Sequence, residues 1–155
     1  MTLMALALIG TLALCAITLY WWPTLPATIP THFGVDGRPN AYGSKNTTFL
    51  LPGIQIVMLL LFGVLARYPW IYNYPVTITS ENAERQYRRG RTLLTTVNAV
   101  LAWFFLAIQW QTIQVARGAT STLGGLFSLP MVIAFIVLFP LAMLALIMVW
   151  VTRGK

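Results

Sequence analysis

Four long apolar runs, at residues 2–22, 48–66, 92–115 and 127–151, alternate along this chain with short polar segments rich in turn-forming residues. Each run is long enough for a helix to cross a ~30 Å hydrocarbon core, which takes about 20 residues. Backbone exposed to lipid must satisfy its own hydrogen bonds, and helices do that at this length. The pattern therefore predicts an all-α membrane protein, a four-transmembrane-helix bundle forming one integral membrane domain over residues 1–155. A short hairpin loop at 23–47 joins helices 1 and 2, and a second polar loop spans 67–91. The two helix pairs share neither motif nor loop length, so an inverted-repeat transporter is not indicated.

Composition agrees: 58% of the 155 residues are hydrophobic and 8% are charged, against about a quarter charged in soluble domains. The first run has no Lys or Arg ahead of it and leads into the aromatic "YWWP" rather than a small-residue cleavage site. A retained span is expected there, not a signal peptide. Cys15 follows Leu14, where lipoprotein processing needs a small side chain, and reads as helix packing.

Charge sets the orientation. Arg67, Arg85, Arg88, Arg89, Arg91, Arg153 and Lys155 lie on one side of the expected membrane, and Arg38, Lys45 and Arg117 on the other. The positive-inside rule then puts both termini and the loop 67–91 in the cytoplasm and turns the loop 23–47 outward. The formal net charge of +7 sits beside helix ends, where topology and anionic headgroups account for it. Membrane lipids are the expected partners, and nucleic acid is not.

The outward loop begins with Tyr20, Trp21 and Trp22, rings that settle at headgroup depth. Pro23, Pro26 and Pro30 stiffen the rise that follows. "THFGVDGRPNAYGSK" then alternates through Thr31, His32 and Phe33 into "GVDG", where Asp36 and Gly37 suit a tight turn because Asp-Gly tolerates positive φ. A short hairpin on the bilayer surface is predicted, with Arg38 after the turn. Gly43 and Ser44 supply a break and an N-cap before span two, and Lys45 can reach headgroup phosphate. His32, the chain's one His, and Asp36, one of its three acids, are the chemically suggestive pair. Zinc needs three or four protein ligands and the chain has neither a second His nor a Cys cluster, so no metal is expected. A His hydrogen-bonded within its own hairpin is the plainer reading; ligand, peptide or proton sensing is the functional one.

The stretch "LPATIPTHFGVDGRPNAYGSK" resembles the signature of the domain of unknown function at the N-terminal end of SdpI-type bacterial membrane proteins. The matching residues are Leu25, Pro26, Ile29, Pro30, His32, Phe33, Gly37, Gly43, Ser44 and Lys45, and the likeness is strongest over residues 20–66. "YNYPVTITSENAERQYRRGR" is also similar to a stretch in short members carrying this domain. The resemblance implies a bacterial inner-membrane protein with an outward recognition loop. In SdpI-type proteins it further implies immunity to a membrane-active peptide and relay of its presence to a cytoplasmic repressor. SdpI-type proteins carry further spans after this domain, where four spans are expected in the present sequence.

On the cytoplasmic side, Pro69 and Pro75 frame the aromatic "YPWIYNYPVTI". Thr79 or Ser80 is expected to cap a helix with Glu81 and Glu84 in its first turn. Glu81 with Arg85 and Glu84 with Arg88 are then i,i+4 pairs. Glu81, Asn82, Arg85, Gln86 and Arg89 form either a polar patch for a partner or lipid phosphate, or a solvated helix start with topogenic arginines. Within the spans, Gln55, Asn98, Gln109, Gln111 and Gln114 are the polar side chains to explain. Asn98 and Gln109 are eleven residues apart and share one helix face, fit either for interhelical hydrogen bonds or for lining a polar path. No ionisable residue lies deep in a span, which weighs against a pump. Pro130 and Pro140 are candidates to bend span four.

There is no phosphate loop, HExxH, Gly-x-Ser-x-Gly or embedded aspartate pair, so neither catalysis nor a cofactor is expected. Three function classes remain. First is an accessory protein of the immunity or sensing type, whose outward hairpin recognises an extracytoplasmic peptide or lipid. The others are a small oligomeric channel or transporter, and a structural subunit of a larger membrane complex with a protein partner.

Overall fold

The computed structural model describes residues 2–34, 36–124 and 141. The fourth expected span at 127–151, with Pro130 and Pro140, lies outside the described residues but for Leu141. Among the described residues three helical segments are long and apolar enough to cross a membrane: Thr2–Thr24, Lys45–Leu65 and Ala83–Ala116. Their regular helices are α1 (Thr2–Trp21), α2 (Leu50–Leu65) and α3 (Ala83–Ala116). Between α1 and α2 come two strands, β1 (Thr28–Phe33) and β2 (Pro39–Ser44). The chain is a mostly helical, multi-pass membrane protein.

α1 buries Ala7, Gly10, Thr11, Leu14 and Thr18, a stripe of i, i+3, i+4 and i+7 spacing along one helix face. It lies mainly against α3, where Asn98, Ala99, Ala102, Gln109 and Ile113 are buried. Gly10 sets the closeness of that crossing: a Cβ added to it would meet the Ala102 Cβ at 3.0 Å. The opposite faces carry Leu12, Leu19, Val57 and Leu60, each at least 59% exposed. Apolar area on that scale would be an aggregation liability in water, whereas hydrocarbon solvates it.

At the far end of α1 the chain makes one 3₁₀ turn, Trp22–Thr24, with Pro23 at its start, then extends into β1. β1 and β2 pair antiparallel, Thr28 opposite Ser44 and Ile29 opposite Gly43, with the register shifting around His32. The turn between them is closed by Gly34 N–H to Arg38 O (2.8 Å) and Gly37 N–H to Gly34 O (2.9 Å). Gly37 holds φ +74°, a conformation in which a side chain would be strained. The ribbon is seated by Leu25 and Ile29, which meet Ile113 of α3 in a small core flanked by Ile17, Trp21 and Ala116.

Two expectations for the loop 67–91 are corrected. The helix starts at Ala83 with Asn82 at the cap position and no capping side chain, not with Thr79 or Ser80. Asn82 is occupied elsewhere: its Oδ1 accepts from Thr79 N–H (3.0 Å) and its Nδ2 donates to Thr77 O (2.9 Å). Glu81 therefore falls before the helix, which leaves Glu84 as the acid of the first turn. Neither expected i,i+4 pair closes to ion-pair distance; Asp36 with Arg38 is the one ion pair among the described residues.

Candidate functional site

The polar chemistry divides into three places. The first is the ribbon. His32, on β1, and Asn40, on β2, are both exposed, and His32 Nδ1 lies 2.5 Å from Asn40 Oδ1. With the amide oxygen accepting, Nδ1 carries the hydrogen and Nε2 faces outward as an acceptor in the neutral ring. Asp36 turns back on its own loop, its Oδ1 accepting from Arg38 N–H at 3.0 Å. Its Oδ2 stands 3.7 Å from Arg38 Nε, with the two side chains 61% and 76% exposed. An ion pair in that position contributes at most about 1 kcal/mol. Phe33 is half-buried and Tyr42 is 62% exposed.

The base of the ribbon is held firmly. Ser44 Oγ accepts from Asn46 N–H at 3.3 Å, capping the 3₁₀ turn Lys45–Phe49 that leads into α2. Lys45 N–H donates to Ala27 O (2.9 Å). The Lys45 ammonium sits 4.3 Å from the centre of the Trp22 ring and donates to Trp22 O (3.4 Å), so it stacks on the protein's own aromatic belt. Arg117 does the same over Trp21, at 3.6 Å; such cation–π contacts contribute about 0.5–2 kcal/mol depending on desolvation. Gly43 lies against Thr31, whose Cγ2 would be 3.0 Å from an added Cβ. The tip is tied down as well, through Leu123 N–H to Gly37 O (2.8 Å).

The second place is the helix interior. Gln55 of α2 is fully buried and donates from Nε2 to Asn98 Oδ1 of α3 (3.0 Å) and to Thr11 Oγ1 of α1 (3.3 Å). One layer nearer the ribbon, Gln109 Nε2 donates to Thr18 Oγ1 (3.0 Å) and to Thr48 O (2.9 Å). The two threonine hydroxyls donate in turn to Ala7 O and Leu14 O of their own helix. Each layer joins all three helical segments. Gln55 Oε1 and Asn98 Nδ2 have no hydrogen-bond partner among the described residues. Gln111 donates to Gly124 O at 3.4 Å, outside these layers.

The third place is the end of the bundle opposite the ribbon, where Glu81 and Arg85 are exposed and Asn82 and Arg89 half-buried. Gln86 is fully buried, which corrects its place in an exposed patch. Gly90, one turn on, is buried too: an added Cβ would lie 2.9 Å from the Tyr72 ring and from the Tyr74 hydroxyl. Tyr72 and Tyr74 stack at 5.9 Å between centroids and fasten the loop by donating to Leu65 O and Pro69 O, each at 2.7 Å. Burial pushes both phenols above their usual range; neighbouring phenols add to this at Tyr74, and Arg91 opposes it at both. Glu81 is held below the usual carboxylate range, first by a hydrogen bond from the Thr79 side chain.

Asn40, Thr11, Thr18 and Thr48 stand out only once the fold is known. Asn40 becomes the neighbour of His32 through the irregular strand register, and the threonines are hidden inside runs that read as apolar. No group of three metal-ligating side chains gathers among the described residues.

Residues 9–56, covering most of α1, the ribbon and the start of α2, match the family described as "Domain of unknown function (DUF1648)". An uncharacterized protein of Archaeoglobus fulgidus is 34% identical over a 93-residue alignment that covers 51% of this chain and 51% of the relative. The chain thus spans about half the length of the curated relative it matches. No solved structure matches.

Proposed function

We propose that this is a membrane accessory protein of the immunity or sensing type, akin to SdpI-type proteins. In this reading it is a four-span inner-membrane bundle with cytoplasmic termini, and its ribbon faces outward to recognise an extracytoplasmic peptide or lipid. One observation carries the proposal: the ribbon presents His32, Asn40, Asp36, Arg38 and Tyr42 to solvent while its base is fastened to the helices and its tip to Leu123 in the segment after α3. A surface fixed before binding loses less conformational entropy on contact with a ligand. The family match over residues 9–56 falls on this part of the chain, in keeping with a role centred there. A sensing role also requires that the ligand favour one of two bundle arrangements, and the ribbon core on Ile113 connects the ribbon to α3.

The test is survival and membrane potential of cells challenged with membrane-active peptides while expressing wild type, His32→Ala or Asn40→Ala at matched levels. Wild type is expected to protect and both variants to lose most of the protection. If wild type protects no better than an empty vector against every peptide tried, the immunity reading falls.

A further inference from the structure

Opposite the ribbon, the start of α1, the end of α2 and the first turns of α3 enclose a cavity of about 400 Å³. Its lining includes Arg88, Arg91, Thr92 and Thr95 of α3, with Met4 and Ala66 on the α1 and α2 sides. Arg88 and Arg91 are three residues apart, and side chains at that spacing are neighbours on a helix surface. Among the described residues neither guanidinium has a hydrogen-bond or ion-pair partner and no carboxylate lines the cavity. The chain has three acids in all. Asp36 is in the ribbon, Glu81 is hydrogen-bonded to Ser80, and Glu84 is not part of the lining.

The other groups nearby are already spent. The last carbonyls of α2 accept from the chain itself: Phe62 O from Ala66, Val64 O from Arg67, Leu65 O from Tyr68 and the Tyr72 hydroxyl. Thr92 and Thr95 donate their hydroxyl hydrogens to carbonyls of α3. What remains is a concave site whose available side-chain donors among the described residues are two forked cations. Guanidinium forks match phosphate oxygens in pairs. Beside them α1 and α2 meet at Met4 and Gly63, where the Met4 methyl lies 3.5 Å from where a Gly63 Cβ would be. Elsewhere on its surface α2 presents Leu60, Leu61 and Val64 as exposed apolar residues.

From this geometry we infer that the Arg88–Arg91 cavity is a phosphate site occupied by an anionic membrane lipid, with the phosphodiester on the two guanidiniums and an acyl chain against the exposed apolar surface of the helices. The site is independent of the ribbon and of what the ribbon binds. Arg88 and Arg91 are both exposed, and they differ from scattered surface arginines in that two cations border one concavity and can share a single anion.

The experiment is native mass spectrometry of the full chain purified in mild detergent, with phosphatidylglycerol or phosphatidylcholine added, for wild type, Arg88→Gln/Arg91→Gln and Arg67→Gln. Arg67→Gln removes one cation at the same end but outside the cavity. Wild type is expected to retain phosphatidylglycerol over phosphatidylcholine, and the double variant to lose about tenfold in that retention, the factor a strong charge-assisted hydrogen bond commands. Arg67→Gln should stay within about twofold. Unchanged retention in the double variant, or an equal loss with Arg67→Gln, overturns the site. A thermal shift given by inorganic phosphate to wild type but not to the double variant, with no preference between the lipids, overturns the lipid in favour of a soluble phosphate. Should the double glutamine variant not fold, Arg88→Lys/Arg91→Lys keeps the charge while removing the fork. It should show a clear loss of phosphatidylglycerol retention, and retention equal to wild type counts against the site.

Discussion

Gln109 in α3 and Asn40 in β2 end in the same primary amide, yet the chain uses them in opposite ways. Gln109 is 2% exposed, and its two N–H groups go to a hydroxyl of α1 and a carbonyl of the turn that leads into α2. Asn40 is exposed and shares one contact with His32. Inside the bundle, the Gln109 N–H groups are consumed in holding helices together, because hydrocarbon offers them no other partner. On the ribbon they are fixed in place but left open, and the fixing comes from apolar and backbone contacts beneath. A surface that keeps its hydrogen-bonding capacity free is where recognition of a partner belongs, and an interior that spends it is where assembly belongs.

The largest break in this contrast comes from the interior. Gly10→Leu forces a side chain into a crossing where even a Cβ meets Ala102 at 3.0 Å. The cost should be about 3 kcal/mol, at the upper end for overpacking, spread across the whole bundle. Thermal or denaturant unfolding in detergent should show one cooperative transition moved far down. An unmoved transition would mean that α1 and α3 do not touch at Gly10.

A smaller and local effect is expected from Gly37→Ala. The left-handed conformation at φ +74° costs an L-residue about 1–2 kcal/mol, and the added methyl would lie 2.9 Å from Leu123 O. The ribbon tip should detach from residue 123 while the helices hold. Hydrogen exchange should then speed up at the Leu123 amide and stay slow along α1. Equal acceleration in both places would erase the distinction between ribbon and bundle.

The contrast itself is measured by a pair of amide deletions. Gln109→Leu leaves Thr48 O without its donor and removes two interhelical bonds, each worth ~0.6 kcal/mol on average in membranes, so a loss of about 1 kcal/mol is expected. Asn40→Ala should move stability by less than about 0.5 kcal/mol while removing the His32 contact. Stability should follow the first substitution and peptide protection the second.

How far the sequence discloses this arrangement depends on what each part is made of. The three described spans follow from hydropathy because their lipid faces are uniformly apolar: the run at 2–22 becomes α1, and 48–66 the segment Lys45–Leu65. Hydropathy loses the start of α3, where Ala83–Arg91 is polar yet helical. The cap signals at Thr79 and Ser80 fall a few residues early: Asn82 and Ala83 N–H reach back to Thr79 O in a turn, and the regular helix begins at Ala83. Asn98 and Gln109 are legible as one helix face, but their partners are not, because Thr11 and Thr18 differ little from apolar neighbours in a hydropathy window. Gln86 reads as solvent-facing because nothing in its local sequence announces that Tyr72 and Tyr74 fold back over the next turn at Gly90. Contacts between distant segments set those features, and local pattern does not carry them.

The smallest expected effect concerns that aromatic fold-back, and its sign follows from burial. Tyr72 and Tyr74 resist ionisation because burial penalises the phenolate. Their folded-state pKa values therefore lie above the unfolded value near 10. Their protonated forms contribute stability that is fully present below that value and lost as pH rises through the folded pKa values. Glu81 runs the other way: its lowered pKa adds stability above the unfolded carboxylate value that disappears as pH falls through the folded one. Alkaline titration followed by tyrosinate absorbance and by hydrogen exchange over residues 69–75 should show the loop loosening as the two phenols ionise, with α1 and the ribbon unaffected. Tyr74→Phe, which cannot donate to Pro69 O, should already be partly loosened at neutral pH and respond less to alkali. If the loop stays protected after both phenols ionise, their hydroxyl bonds to Leu65 and Pro69 are not what holds the fold-back, and the ring stacking over Gly90 carries it alone.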